Sequence, residues 1–312
     1  MRTYRLLVVT ASALTFIVVV VGAYVRLSDA GLGCPDWPLC YGQPFPQHGD
    51  ETALAKAWQE MGHRYLVGIL GALICAVVVL SWLTRRSPWL ATAIAALVLF
   101  QATLGKWTVT MLLKPAIVTA HLLGGMATLA LFVWLALEQW PHSSEPELRK
   151  LRAAASVGLF TVLIQIALGG WVSANYAALD CPDLPGCLGA LVPPMDFANA
   201  FHLLRELGHT GESDLLPREA LTAIHWTHRL FALVVLGVIG SVAIRTMRMK
   251  SLGALGGLIG ALVLVQFALG VANVALGLPL ALAAAHNAGA ALLLASLVVL
   301  NFFSFRGLRP SR

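Results

Sequence analysis

Four histidines fall into two pairs with one spacing. His63 and His121 are 58 positions apart, and so are His228 and His286. Each pair sits in a strongly apolar surround, within Glu60-Met61-Gly62-His63-Arg64 and His121-Leu122-Leu123-Gly124-Gly125 in one case, and His225-Trp226-Thr227-His228-Arg229 and His286-Asn287-Ala288-Gly289 in the other. An ionisable side chain at membrane depth costs about 2.5–3.5 kcal/mol on insertion scales, so four recurring histidines point to function. Zinc takes four protein ligands in a closed site or three in an open one, and two per half fall short. Haem iron needs only axial ligands, because the macrocycle supplies the rest, and a helical bundle is a common place to hold it. A b-type haem in each half is the economical expectation. No Cys-x-x-Cys-His is present, which excludes covalent c-type attachment.

Residues beside the histidines sharpen this chemistry. Three positions before His63 stands Glu60; three before His228 stands His225, so both share their histidine's helical face. A desolvated carboxylate beside a haem pocket is a candidate acid or base; an acidic residue in the first turn of a helix is the plainer alternative. Arg64 and Arg229 follow their histidines and suit haem propionates, or serve as interfacial anchors. Gly124, Gly125 and Gly289, three or four positions past a histidine, would let a flat macrocycle approach.

The elements that position these groups are membrane helices. The chain has 312 residues, 58% hydrophobic and 12% charged, outside the range of soluble domains. Runs at about 6–26, 62–83, 89–110, 116–137, 153–175, 221–244, 253–275 and 280–302 each reach the roughly 20 residues that span a bilayer. The first run is too long for a signal peptide and lacks a cleavage site, so it is expected to be a retained helix. With both termini cytoplasmic, 13 of the 21 Lys and Arg residues fall in inner segments, which satisfies the positive-inside rule. Topology thus explains the net charge of +6, and nucleic-acid binding gains no support from it.

The fold expected is an all-α membrane protein of eight transmembrane helices, arranged as two parallel four-helix bundles related by internal duplication. Residues 1–138 form one half, 139–152 a cytoplasmic linker and 153–312 the other half. An offset of 147 superposes Gly22 on Gly169, Cys34 on Cys181, Asp36 on Asp183 and Cys40 on Cys187; an offset of 165 superposes His63 on His228, Gln101 on Gln266, Gly105 on Gly270 and His121 on His286. The second external loop is therefore 18 residues longer. An even number of helices per repeat makes the halves parallel rather than inverted. Thr52–Trp58 and Phe197–Leu204 are expected as short interfacial helices, with His63 and His228 near the starts of the spans that follow.

Cys34/Cys40 and Cys181/Cys187 lie in loops assigned to the periplasmic side of a bacterial inner membrane, where disulfides persist. Such a bridge would rigidify the rim or exchange electrons with a partner; a metal site lacks further ligands. Cys75 reads as an inert apolar residue. His48, His142, His202 and His209 lack the repeat relation and read as surface residues, while Lys106 and Lys114 flank an external turn.

The segment Gly31-Leu32-Gly33-Cys34-Pro35-Asp36-Trp37-Pro38-Leu39-Cys40-Tyr41-Gly42, with Glu60-x-x-His63-Arg64, His121, His228-Arg229 and His286, resembles the heme A synthase family over essentially the whole chain. The resemblance implies oxidation of the C8 methyl of heme O to a formyl group, by successive hydroxylations with water as oxygen source. It implies that His63 and His121 flank heme O, that Glu60 is the acidic residue of the active half, and that His228 and His286 ligate heme b. A heme O synthase, cytochrome oxidase assembly factors, the lipid bilayer and an electron acceptor are the partners it suggests. It also links the N-terminal cysteine pair to haem transfer or redox function.

Two other classes fit a two-site membrane haem protein. A dihaem b-type electron carrier would stack its pairs across the membrane, whereas these four histidines share one depth. A haem transporter would show broken helices near the midplane.

Overall fold

The computed structural model describes residues 2–47, 49–140 and 146–306; His48, His142 and the middle of the linker lie outside them. Among the described residues there is no strand beyond isolated bridges, and eight helices are long and apolar enough to cross a membrane. In chain order the α-helices are α1 (Arg2–Leu27), α2 (Glu51–Thr84), α3 (Pro88–Thr110), α4 (Pro115–Leu137), α5 (Arg152–Ala174), the single-turn α6 (Phe197–Ala200), α7 (Arg218–Met247), α8 (Gly253–Ala275) and α9 (Leu280–Arg306). A short 3-10 turn, Pro146–Leu151, leads into α5. Proline stands at the first position of α3 and α4, where its missing N–H has no intrahelical partner to lose.

One expectation about the helix starts is overturned. Thr52–Trp58 is not a separate interfacial helix but the first part of α2, which begins at an Asp50 cap whose side chain accepts from the Ala53 amide. At 34 residues and about 1.5 Å per residue, α2 is roughly 51 Å long, well beyond a hydrocarbon core of about 30 Å. His63 and His228 therefore lie well inside α2 and α7, not at their first turns. In the second loop only Phe197–Ala200 of the expected segment is helical, capped by Asp196.

Each set of four long helices closes into a square. In the first, α1 packs on α2 and α4, and α3 packs on the same two, so α2 and α4 are diagonal. In the second, α5 and α8 each pack on α7 and α9, and α7 and α9 are diagonal. The squares meet where α9 lies against α1 and α4, and α4 against α5. One apolar cluster fills the first square, with Val8, Ile74, Ile94 and Phe132 fully or almost fully buried; a larger one runs from Met126 and Leu129 of α4 through Val162, Ile239 and Leu297. Polar ties close both ends of this seam. Arg26 donates to the Ser173 carbonyl at 2.7 Å and stacks on Tyr176, while at the other end Arg306 pairs with Glu138, which also accepts from Ser87.

Candidate functional site

His63 on α2 and His121 on α4 occupy diagonal corners of the first square, and His228 on α7 and His286 on α9 occupy diagonal corners of the second. Diagonal helices do not pack on each other, so their inward side chains approach the bundle centre from opposite sides. Two ligands so placed can address the two faces of one planar group. All four lie toward the end of the bundle that carries the cysteine loops.

Glycines on the intervening helices admit the imidazoles. A Cβ on Gly22 of α1 would lie 2.9 Å from His63 Cε1, and one on Gly105 of α3 would lie 3.4 Å from His121 Cε1. The second square repeats this with Gly169 against His228 at 3.1 Å and Gly270 against His286 at 3.3 Å. The Nδ1 atoms of all four histidines are buried without a hydrogen-bond partner, which is costly unless the imidazoles serve some other bond.

The glycines expected to admit a macrocycle do something else. Gly124 makes room for the Gln101 side chain, whose Nε2 would stand 1.7 Å from an added Cβ; Gly289 does the same for Gln266 at 2.3 Å, and Gly125 faces Val19. Gln266 donates to the His286 carbonyl at 2.8 Å, and Gln165 to the His228 carbonyl at 3.2 Å. Buried Gln101 has neither amide atom partnered. These glutamines carry no chemistry in the sequence reading, although the coincidence of Gln101 and Gln266 under one offset was the signal for them.

Around the second pair there is a cavity of about 560 Å³, bordered by His225, His228, Arg229, Gln266 and His286. That volume falls within the roughly 300–1,000 Å³ of small-molecule and cofactor sites. Its wall is mostly apolar, with Leu233, Leu236 and Phe267 on the α7 and α8 sides. Apolar walls, two facing histidines and orphaned ring nitrogens are the donor set a haem would use, so the residues fit that group.

Glu60 is buried inside α2 with both oxygens engaged: Oε1 pairs with Arg64 at 2.5 Å, and Oε2 accepts from the Cys34 amide at 2.9 Å. Nine residues into the helix, it cannot act as a first-turn cap. Its counterpart His225 is buried too, and its Nε2 faces Arg229 Nε at 3.3 Å.

Both arginines hold the cysteine loops. Arg64 Nη1 donates to the Asp36 and Leu39 carbonyls at 2.9 and 2.6 Å; Arg229 Nη1 donates to Asp183 and Gly186, both at 2.9 Å, and its Nη2 to Cys181. Each loop is closed by a disulfide, Cys34–Cys40 and Cys181–Cys187, and each has a cis proline, Pro38 and Pro185. Each also contains an aspartate that accepts from two backbone amides. For Asp183 the amide of Gly189, then that of Leu188, holds the carboxyl below the usual range; for Asp36 partial burial acts upward, and the amides of Gly42 and Tyr41 outweigh it. Cys75 is a free, exposed thiol. In the longer second loop, buried Arg205 bonds Asn175 and the His209 carbonyl, an organising role the sequence reading did not assign.

Fold and site together define a multi-pass helical membrane protein with two histidine pairs on diagonal helices and two disulfide loops. Comparison with known proteins places it further: the family described as cytochrome oxidase assembly protein, COX15-CtaA, matches residues 5–298, and the chain belongs to that family. A relative from Shewanella oneidensis, named Heme A synthase, is 41% identical over 308 residues, 93% of each chain. Proteins of the same name from Caulobacter sp. strain K31 and Caulobacter vibrioides are 28% and 29% identical, covering 99% and 96% of this chain and 97% and 94% of their own.

Proposed function

We propose that the chain is a heme A synthase of the bacterial inner membrane, a membrane oxidoreductase that takes heme O as substrate and holds heme b as resident cofactor. The observation that carries this is one asymmetry between two otherwise matching histidine pairs: Glu60 stands beside His63 where His225 stands beside His228. The cysteine loops face the periplasm, both termini face the cytoplasm, and the halves, residues 1–138 and 153–312, arose by duplication. Matching glycine–histidine contacts in the two squares support that origin.

In the working half, His63 and His121 hold heme O between diagonal helices. Converting its methyl to a formyl group consumes one net water and releases four protons and four electrons. Each of two hydroxylations takes oxygen from water and sends two electrons to an acceptor, and the gem-diol then loses water. Glu60 takes up protons at this site. Its position is fixed by Arg64 and the Cys34 amide, which leave a lone pair free on its oxygens. In the other half, His228 and His286 hold heme b, whose iron supplies one-electron redox chemistry when bound. His225, a neutral acceptor toward Arg229, puts no carboxylate there. Arg64 and Arg229 act as brackets for the loop rims, from which they can also meet propionates.

Membranes from a host supplying heme O, extracted and resolved by chromatography, test this reading. Wild type should yield hydroxylated heme O or heme A, and Glu60→Ala neither. Wild-type membranes containing only heme O would refute it.

A further inference from the structure

At the end of the bundle away from the cysteine loops, the two halves treat one repeated arginine differently. The offset of 147 superposes Arg5 on Arg152, and the offset of 165 superposes Trp140 on Phe305. Both guanidinium groups stack on their aromatic partner, Arg152 at 4.7 Å from the Phe305 ring centroid and Arg5 at 5.6 Å from that of Trp140. Arg152 also donates to the Ser304 and Phe305 carbonyls at 3.3 and 3.5 Å, so backbone oxygens satisfy it. Arg5 has no such acceptor among the described residues, and its Nε is buried without a partner. A ring of contacts fixes its surround. The Tyr4 hydroxyl donates to the Arg86 carbonyl at 3.2 Å, the neighbouring Ser87 donates to Glu138, and Trp140, two residues further on, carries Arg5. Glu138 is shared by Ser87, Trp134 and Arg306, so the carboxylate of this ring is already taken. Arg85, next to Arg86, and Arg2, three residues before Arg5, are both exposed.

We propose that Arg5 on Trp140, with Arg2 and Arg85 around them, holds the phosphate of an anionic phospholipid of the phosphatidylglycerol class. A guanidinium lying on an aromatic ring keeps its N–H edge free, and that edge matches two phosphate oxygens. A buried N–H without an acceptor is costly, and a phosphate oxygen removes that cost. Position favours a lipid over a soluble anion. Leu6, which follows Arg5, is exposed and opens the apolar run of α1, so the site lies where headgroups meet hydrocarbon. Across the Arg85–Arg86 turn, Trp82 and Trp89 are exposed and meet edge to face at 5.1 Å, the residue type that gathers at headgroup level. Charge favours an anionic headgroup over a zwitterionic one, because an ammonium would face arginines while Glu138 is held by Arg306. In the second half the Ser304 and Phe305 carbonyls stand where the phosphate would bind, so the repeat carries the site once.

The test uses the full-length purified protein in detergent, titrated separately with phosphatidylglycerol, phosphatidylcholine and soluble glycerol phosphate. Native mass spectrometry counts bound lipid, and thermal melting reports stabilisation by whatever binds the folded state. Wild type should retain phosphatidylglycerol in preference to phosphatidylcholine, with a higher Tm in its presence. Arg5→Ala should weaken phosphatidylglycerol binding on the order of ten-fold or more, as when a charge-assisted hydrogen bond is lost, whereas Arg152→Ala should leave it at the wild-type level. Arg5→Lys, which keeps the charge and loses the fork, should fall between wild type and Arg5→Ala, and it stands in for Arg5→Ala if that variant does not fold. Equal retention of both lipids by wild type would overturn the proposal, and so would an affinity for phosphatidylglycerol unchanged in the Arg5 variants. An equal rise in Tm with glycerol phosphate at the same concentration would overturn the lipid assignment and leave a site for small soluble phosphates.

Discussion

The backbone amide of Cys34 donates to Oε2 of Glu60 at 2.9 Å. The first residue of a disulfide loop thus touches the carboxylate beside the first histidine pair, and Arg64 closes the arrangement by binding Glu60 and two further loop carbonyls. In the second half Arg229 binds the loop carbonyls of Asp183, Gly186 and Cys181, and His225 offers no carboxylate to the Cys181 end.

Glu60→Gln keeps the size of the side chain and an acceptor for the Cys34 amide, but removes the base. Loss of general acid–base catalysis should lower heme O conversion by about 10²–10⁴-fold. The b-type absorbance of the purified protein should stay at the wild-type level. Turnover within a factor of about three of wild type would show that Glu60 is structural.

Gly22→Ala should impair the first site selectively. An Ala at a helix interior is favoured over Gly by about 0.5–1 kcal/mol, but overpacking costs about 1–3 kcal/mol. With its Cβ 2.9 Å from the His63 ring, the second effect wins. Heme O binding should weaken while b-type haem content is retained. Gly169→Ala, at 3.1 Å from His228, should do the reverse, and its haem content is the measurement. Identical spectra and affinities in both variants would show that the rings have room to move.

The loop aspartates make the rim sensitive to acid. Because the Gly189 and Leu188 amides hold the Asp183 carboxyl below its ordinary value, its folded-state pKa is depressed. Its contribution is therefore present above the unfolded value of about 3.9 and lost as pH falls through the folded value. Asp183→Ala should lower Tm between pH 5 and 8, and the difference from wild type should shrink in strong acid. A difference independent of pH would assign the effect to lost packing.

Much of this was legible in the chain. Eight spans, the histidine spacing, the Glu60/His225 exchange and the cysteine pairs all follow from residue types and offsets, because apolar length and polar residues recurring in apolar runs leave direct traces. The start of α2 was not legible: Thr52–Trp58 has the pattern of a surface helix, and only the Asp50 cap shows that it runs on into the span. Gly124 and Gly289 were assigned to a macrocycle, since spacing gives the face of a helix but not which neighbour fills the space beside it. The loop carbonyls that occupy Arg64 and Arg229 were equally invisible, being backbone groups with no sequence signature.

The division of labour between the halves is tested most directly by comparing His63→Ala with His228→Ala in two readouts, b-type haem absorbance of the purified protein and heme O conversion in membranes. His63→Ala should keep the absorbance and abolish conversion, whereas His228→Ala should lose the absorbance. Loss of resident haem in His63→Ala with its retention in His228→Ala would contradict the assignment of the two halves.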